Sequence, residues 1–170
     1  MSIKPRAKVP ALSLPTVGGG RFDLAAQHPQ SFTMLVFYRG LHCPICKTYL
    51  RDLDRRLDDF AKRGVVVAAV STDTRERAEQ SKRDWGIERL TQAYGLGIDE
   101  ARQWGLYISA AIKPEESPLF AEPGLFLIRP DTTLYAASIQ SMPFARPSFA
   151  DVLAAVDFVT QKNYPPRGEA

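Results

Sequence analysis

The chain contains two cysteines, Cys43 and Cys46, which lie three residues apart within the segment VFYRGLHCPICKTYL. This spacing is typical of a redox-active dithiol, of half of a metal site, or of two small side chains in an apolar core. On a helix it separates the two Cα atoms by about 5–6 Å, which a disulfide accepts. A zinc site as a rule needs four ligands, and only His28 and His42 could join the cysteines. The pattern favours the redox pair and no metal.

The flanking residues predict how the pair is positioned. Phe32–Tyr38 is a continuous apolar run rich in β-forming residues, typical of a strand covered on both faces. Residues 44–63 show helical periodicity, and Pro44 suits the first turn of that helix, where a missing N–H costs nothing. The pair should therefore lie at a helix N-terminus, whose partial positive charge favours a thiolate. We expect the sulfur of Cys43 to face solvent and that of Cys46 to turn towards the sheet.

The rest of the chain predicts an α/β fold in a single domain over residues 1–170. Val65–Val70 is a second buried strand and completes a β-α-β unit with a right-handed crossover. The other predicted elements are the extended pieces Ala11–Leu14 and Arg21–Leu24, a helix ending near Trp85, a short strand and helix within 91–107, an exposed loop over 109–123, a hairpin of Leu125–Arg129 and Leu134–Ser138, a helix capped by Ser148, and a loose tail over 163–170. A β-α-β half followed by a β-β-α half is the arrangement of the thioredoxin fold, a central mixed sheet flanked by helices.

Composition excludes several classes of function. With 45% hydrophobic residues, 24% charged residues and a net charge of +3, the chain has the composition of an ordinary soluble globular protein. No apolar run could span a membrane, and the N-terminal segment lacks the apolar core of a signal peptide, so we expect a cytoplasmic protein. No basic block interleaved with aromatic residues indicates nucleic-acid binding, and no cofactor is expected. In a reducing compartment, paired cysteines are more often reactive than structural.

Five segments carry a resemblance to a known family: FYRGLHCPIC, VVVAAVSTDT, AYGLG, GLFLIRPDTTLY and SMPFARPSF. In this order, over roughly residues 8–160, they resemble the AhpC/TSA branch of the peroxiredoxins, which implies a peroxiredoxin-like N-terminal extension of the thioredoxin fold. Peroxiredoxins usually show FYP, three residues and then T-x-x-C, in which the cysteine attacks the peroxide. By this resemblance Cys46 takes the peroxidatic position, Cys43 replaces the threonine and Arg39 replaces the proline.

The same C-x-x-C is similar to that of thioredoxins, where the roles of the cysteines are reversed. Peroxiredoxins also carry an arginine directly before GLF, where this chain has Pro123, and thioredoxins have a cis-proline in that place. The resemblance therefore makes Glu122–Pro123 a candidate cis peptide bond. Arg146 matches a second arginine of peroxiredoxins, and either supplies the lost positive charge or forms a surface salt bridge.

The resemblance implies a thiol-dependent antioxidant oxidoreductase that reduces hydroperoxides through a Cys43–Cys46 dithiol and disulfide. An external thiol reductant, such as a thioredoxin or glutathione system, would regenerate the dithiol, and a homodimer is a further implied partner. Two alternatives stay open: a thioredoxin-like protein disulfide oxidoreductase, and a redox-sensing or inert binding module. We take Cys43 as the nucleophile and Cys46 as the resolving thiol, with His42 as a neighbour that tunes or shields the thiol.

Overall fold

The computed structural model describes residues 3–170, which form strands, helices and the loops between them. The strands are β1 (Ser13–Pro15), β2 (Arg21–Asp23), β3 (Phe32–Phe37), β4 (Val65–Val70), β5 (Gln92–Ala93), β6 (Ile108–Ala110), β7 (Leu119–Ala121), β8 (Gly124–Ile128) and β9 (Leu134–Ile139). The helices are α1 (Pro44–Arg55), α2 (Leu57–Lys62), α3 (Arg75–Trp85), α4 (Ile98–Gln103) and α5 (Phe149–Lys162), with a 3₁₀ turn at Leu24–Ala26. No helix in this part of the chain is long and apolar enough to cross a membrane.

The central sheet has five strands in the order β5-β4-β3-β8-β9. Strand β3 pairs with β4 in parallel, from Phe32 opposite Val65 to Phe37 opposite Val70. It pairs with β8 in the antiparallel sense, and β8 forms an antiparallel hairpin with β9. This mixed sheet confirms the predicted thioredoxin fold, because the β-α-β half and the β-β-α half meet at β3 and β8.

Alternate residues of β3 enter two cores on opposite faces of the sheet. Met34 and Val36 pack in one core with both cysteines and with apolar residues of α1, α2, α3 and α5. Leu35 and Phe37 point to the other core, which is covered by α4 and by the N-terminal residues around β1 and β2. Burial on both faces explains why this strand is a continuous apolar run rather than an alternating one.

Two predicted segments are divided into elements differently in the structure. The helix predicted over residues 44–63 divides at Arg56, whose φ of −101° and ψ of 6° leave the helical region between α1 and α2. The exposed loop predicted over 109–123 contains a hairpin, in which Ile108 lies opposite Ala121. Its strands are three residues each, too short for a period-two pattern to be read from the sequence.

The C-terminal segment after α5 has no helix or strand but contacts the body of the protein. The hydroxyl of Tyr135 donates to the carbonyl of Tyr164 over 3.1 Å, and Pro166 is buried. The guanidinium of Arg6 lies 3.8 Å from the carboxylate of Glu169. The looseness predicted for residues 163–170 concerns motion and stays a prediction.

Candidate active site

The cysteine pair lies where a helix begins at the carboxyl end of the central strand. Cys43 is the N-cap residue of α1, and its sulfur accepts the backbone N–H of Cys46 over 3.2 Å. Pro44 occupies the first turn, where the helix needs no N–H donor. The predicted placement of these three residues is therefore confirmed, and ligands of open α/β sheets bind at this edge.

Both cysteines are free thiols and both are buried, with 1% of Cys43 and none of Cys46 exposed. Their side chains lie 2.6 Å apart without a disulfide. The predicted solvent-facing sulfur of Cys43 is wrong, because the side chain turns inward to cap the helix. Pro44 and Ile45 carry the exposed surface of this turn instead. Among residues 3–170, no cluster of three or more His, Cys, Asp or Glu side chains could hold a metal ion.

The two thiols differ in their hydrogen-bond partners and so in acidity. A side-chain hydrogen bond from Cys46, assisted by its backbone N–H and by the charges of Arg146 and Arg39, lowers the pKa of Cys43 to about 6. Burial, together with donation of its proton to Cys43, raises the pKa of Cys46. The pair therefore loses its first proton more readily than an ordinary thiol, and the hydrogen bonds to Cys43 favour the thiolate on that sulfur.

Arg146 reaches the pair from the segment between β9 and α5. Its Nη2 donates to the sulfur of Cys46 over 2.9 Å, and its guanidinium lies 4.9 Å from the ring centroid of Tyr49. Its Nε and Nη1 are buried and have no hydrogen-bond partner among residues 3–170. The sequence left two alternatives for Arg146, a positive charge at the thiols or a surface salt bridge. The described residues contain no ion pair of Arg146 with a carboxylate, whereas its positive charge is adjacent to the thiols.

Arg39 also lies near the pair, where its charge acts on Cys43, and it has a carboxylate partner of its own. Its Nε is 3.2 Å from a carboxylate oxygen of Glu122, which is almost completely buried, and its guanidinium lies 4.9 Å from the ring centroid of Phe120. The hydroxyl of Ser109 donates to the other oxygen of Glu122 over 2.6 Å. The sequence analysis named Glu122 only for its peptide bond with Pro123, although a charged residue two positions before a buried strand is a signal for such a role.

Asp73, which the sequence analysis also missed, holds the loop that leads into Cys43. One buried carboxylate oxygen accepts the N–H of Leu41 over 2.9 Å, and the other accepts from Nε of Arg77 over 3.0 Å. Gly40 has a φ of +130°, and a Cβ added to it would lie 2.6 Å from Oδ1 of Asp73. A signal for Asp73 is its position in the sequence. It follows β4, the parallel neighbour of β3, so it lies at the edge of the sheet where Cys43 also lies.

His42 packs between these groups and does not contact either sulfur by hydrogen bond. Nη2 of Arg77 lies 3.4 Å from its Nδ1, and its ring meets that of Phe120 edge-on at 4.6 Å between centroids. Burial and the charge of Arg39 lower its pKa, so the imidazole is neutral near pH 7. A role in tuning or shielding the thiol stays a prediction.

The predicted cis peptide bond at Glu122–Pro123 is wrong, since no peptide bond among the described residues is cis. Both residues belong to extended backbone between β7 and β8. The N–H of Glu122 donates to the carbonyl of Tyr107, and the carbonyl of Pro123 accepts from the N–H of Gln140. A trans bond continues this path. Pro123 nevertheless lines a narrow cavity together with Tyr49 and Arg146, close to the thiols.

A thioredoxin fold with an acidic cysteine pair at a helix N-terminus defines a thiol-dependent oxidoreductase. The chain belongs to the AhpC/TSA family, whose model matches residues 5–137. No curated protein sequence gives a significant match.

Solved structures that resemble the chain include peroxidoxin BcpB of Mycobacterium tuberculosis, with 18% identity, a TM-score of 0.74, and coverage of 92% of this chain and 98% of that one. The reduced 2-Cys peroxiredoxin of Plasmodium vivax is 15% identical, with a TM-score of 0.78 and coverage of 94% and 83%. AhpC of Mycobacterium tuberculosis is 14% identical, with a TM-score of 0.76 and coverage of 96% of each chain. At these identities the likeness shows the fold.

Proposed function

We propose that the protein reduces hydroperoxides with the Cys43–Cys46 dithiol, with Cys43 as nucleophile and Cys46 as resolving thiol. The observation that carries this proposal is the asymmetry of the pair. The sulfur of Cys43 accepts the backbone N–H of Cys46 over 3.2 Å and its pKa is lowered by the side chain of Cys46 and by nearby arginines, whereas burial raises the pKa of Cys46, whose sulfur accepts from Arg146. A thiolate is the reactive form of cysteine, and here it forms next to a second thiol that can resolve it.

In the first step the thiolate of Cys43 attacks the distal oxygen of the hydroperoxide, ROOH. An S–O bond forms and the O–O bond breaks, which oxidises Cys43 to a sulfenic acid and releases RO⁻. The thiol of Cys46 gives its proton to RO⁻, and the product is ROH. The thiolate left on Cys46 is stabilised by the guanidinium of Arg146, whose Nη2 already lies 2.9 Å from that sulfur.

In the second step the thiolate of Cys46 attacks the sulfur of the Cys43 sulfenic acid. An S–S bond forms and hydroxide leaves, taking a proton from solvent to become water. Two electrons have then passed from the dithiol to the hydroperoxide. Exchange with two thiols of an external reductant, of the thioredoxin or glutathione type, would restore the dithiol in the reducing compartment that the sequence predicts.

A protein disulfide oxidoreductase is the second candidate, and the acidity of Cys43 favours it. An N-terminal thiolate in C-x-x-C can attack a disulfide as well as a peroxide, and the buried Cys46 would then resolve the mixed disulfide. The two candidates differ in the first electrophile. They share the same thiols, so kinetics rather than mutation must separate them.

The experiment compares two rates on the purified, reduced protein. One is the consumption of hydrogen peroxide and of cumene hydroperoxide, and the other is the reduction of insulin disulfides. We expect hydroperoxide reduction to be the faster reaction by at least tenfold in second-order rate constant, and to be lost in Cys43→Ser. Thr48→Val, an exposed change on the same helix, is the matched control. Faster reduction of insulin would assign the protein to the second candidate.

A further inference from the structure

Ala145, directly before Arg146, has a backbone conformation that alanine rarely adopts. Its φ is +62°, in the left-handed region where the Cβ atom crowds the following carbonyl. The residue is exposed, so burial of its methyl group does not explain this conformation. Strained backbone of this kind persists where the surrounding structure requires it, and it is concentrated at functional sites.

The chain after Arg146 is attached firmly to helix α1. The hydroxyl of Tyr49 donates to the carbonyl of Pro147 over 2.6 Å, and the ring of Phe149 stacks on that of Tyr49 at 4.3 Å between centroids. A proline also restricts the residue before it to extended backbone, so Pro147 limits Arg146. The chain arriving from β9 bends over residues 141–145, and Ala145 is the last residue of this bend before the attachment.

We infer that Ala145 is a positioning residue of the thiol centre, whose left-handed backbone directs the guanidinium of Arg146 onto Cys46. The inference rests on the proposed function, in which Arg146 stabilises the thiolate that resolves the sulfenic acid. Arg146 has no carboxylate partner among the described ion pairs and is held by the ring of Tyr49 and the sulfur of Cys46. The direction of the backbone before it therefore decides whether its charge remains at the thiols.

Two substitutions at this exposed position separate backbone conformation from side-chain packing. Glycine adopts positive φ readily, so Ala145→Gly keeps the turn and Arg146 in place. A β-branched residue at positive φ is a genuine outlier, so Ala145→Val drives the backbone out of the left-handed region. Asn163→Val is the matched control, because Asn163 has a φ of +48° and lies beside Phe32, at the opposite end of β3 from the cysteines.

The measurement is the pKa of the first thiol ionisation in the reduced protein, from the absorbance of the thiolate at 240 nm against pH. An opposite charge beside an ionisable group shifts its pKa by about one to three units, and Arg146 contacts the thiol pair through Cys46, so we expect Ala145→Val and Arg146→Met each to raise the first pKa of the pair by at least about one unit. Because the pKa begins at about 6, an increase of one unit lowers the thiolate fraction at pH 7, and with it the rate of alkylation, by about twofold, and each further unit lowers it by up to about tenfold. Ala145→Gly and Asn163→Val should leave both quantities unchanged.

The combination Ala145→Val with Arg146→Met tests the route of the effect. Its pKa should equal that of Arg146→Met alone, because a displaced guanidinium and a missing one are equivalent for the thiols. An unchanged pKa in Ala145→Val, or equal increases in Ala145→Val and Ala145→Gly, would overturn the inference. Thermal unfolding of each variant shows whether it is folded. No hydroperoxide enters these measurements, so the result stands whether or not the protein proves to be a peroxidase.

Discussion

The replacement of Gly40 by alanine tests how rigidly the active-site loop is held. The φ of Gly40 is +130°, and a Cβ there would lie 2.6 Å from Oδ1 of Asp73 and 2.9 Å from its Cγ and Oδ2. Asp73 is buried and cannot move away without losing the N–H of Leu41 or the guanidinium of Arg77. The substitution therefore imposes backbone strain and the loss of at least one hydrogen bond to a buried carboxylate.

The expected loss in the free energy of unfolding follows from these two contributions. Backbone strain in such a region costs about 1–3 kcal/mol. A hydrogen bond to a charged group contributes about 1.5–3 kcal/mol. Gly40→Ala should therefore lower the free energy of unfolding by about 2.5–6 kcal/mol, a large part of the roughly 5–15 kcal/mol typical of a domain.

Urea denaturation followed by circular dichroism measures this loss, and Gly86→Ala is its control. Gly86 also has positive φ, at +64°, but a Cβ there would meet no atom within 4 Å. Gly86→Ala should lower the free energy of unfolding by only about 1–2 kcal/mol, the cost of the left-handed conformation for alanine. Adding Gly40→Ala to Asp73→Ala should cost close to the control value, because the clash is then gone. Equal losses for Gly40→Ala and Gly86→Ala in the native background would refute the rigid contact with Asp73.

Three further predictions concern the charges around the thiols. The pKa of Cys43 is lower in the folded protein than in the unfolded chain, so its ionisation adds stability that is present above about pH 8.5 and is lost as the pH falls through about 6. The free energy of unfolding of the reduced protein, relative to Cys43→Ser, should therefore rise between pH 6 and 8, and a constant difference would contradict the lowered pKa. His42→Phe keeps an aromatic ring against Phe120 and should slow hydroperoxide reduction by less than about threefold, whereas loss of a catalytic base would cost about a hundredfold or more. Glu122→Gln removes the counter-charge of Arg39 and should lower the pKa of Cys43 further, as measured by thiolate absorbance; a raised pKa would show that Arg39 leaves the site without its carboxylate.

The elements that carry the cysteines could be predicted from the sequence because their signals are local and strong. The run at Phe32–Phe37 and the run Val65–Val70 contain no charged residue, and both form strands as predicted, the first of them one residue shorter. Pro44 after a cysteine, followed by helical periodicity, located the start of α1. Each of these signals depends on neighbours within a few residues, which sequence patterns report well.

The details that the sequence did not predict depend on contacts between distant residues. Asp73 meets the loop 32 residues before it, and Arg146 meets a cysteine 100 residues away. The burial of Cys43 follows from the rotation of one side chain towards the helix N-terminus, which no periodicity reports. The trans bond at Pro123 follows from strand pairing on both sides, whereas the resemblance to thioredoxins considered only the proline itself.

Oxidation of the single-cysteine variants by one equivalent of cumene hydroperoxide tests the central claim most directly. The reaction is followed by intact mass with a sulfenic-acid trap such as dimedone. The wild type should lose two hydrogens and bind no dimedone, because Cys46 resolves the sulfenic acid into a disulfide. Cys46→Ser should bind one dimedone at Cys43, and Cys43→Ser should react slowly. Rapid trapping at Cys46 in Cys43→Ser, with none at Cys43 in Cys46→Ser, would contradict the assignment of Cys43 as the nucleophile.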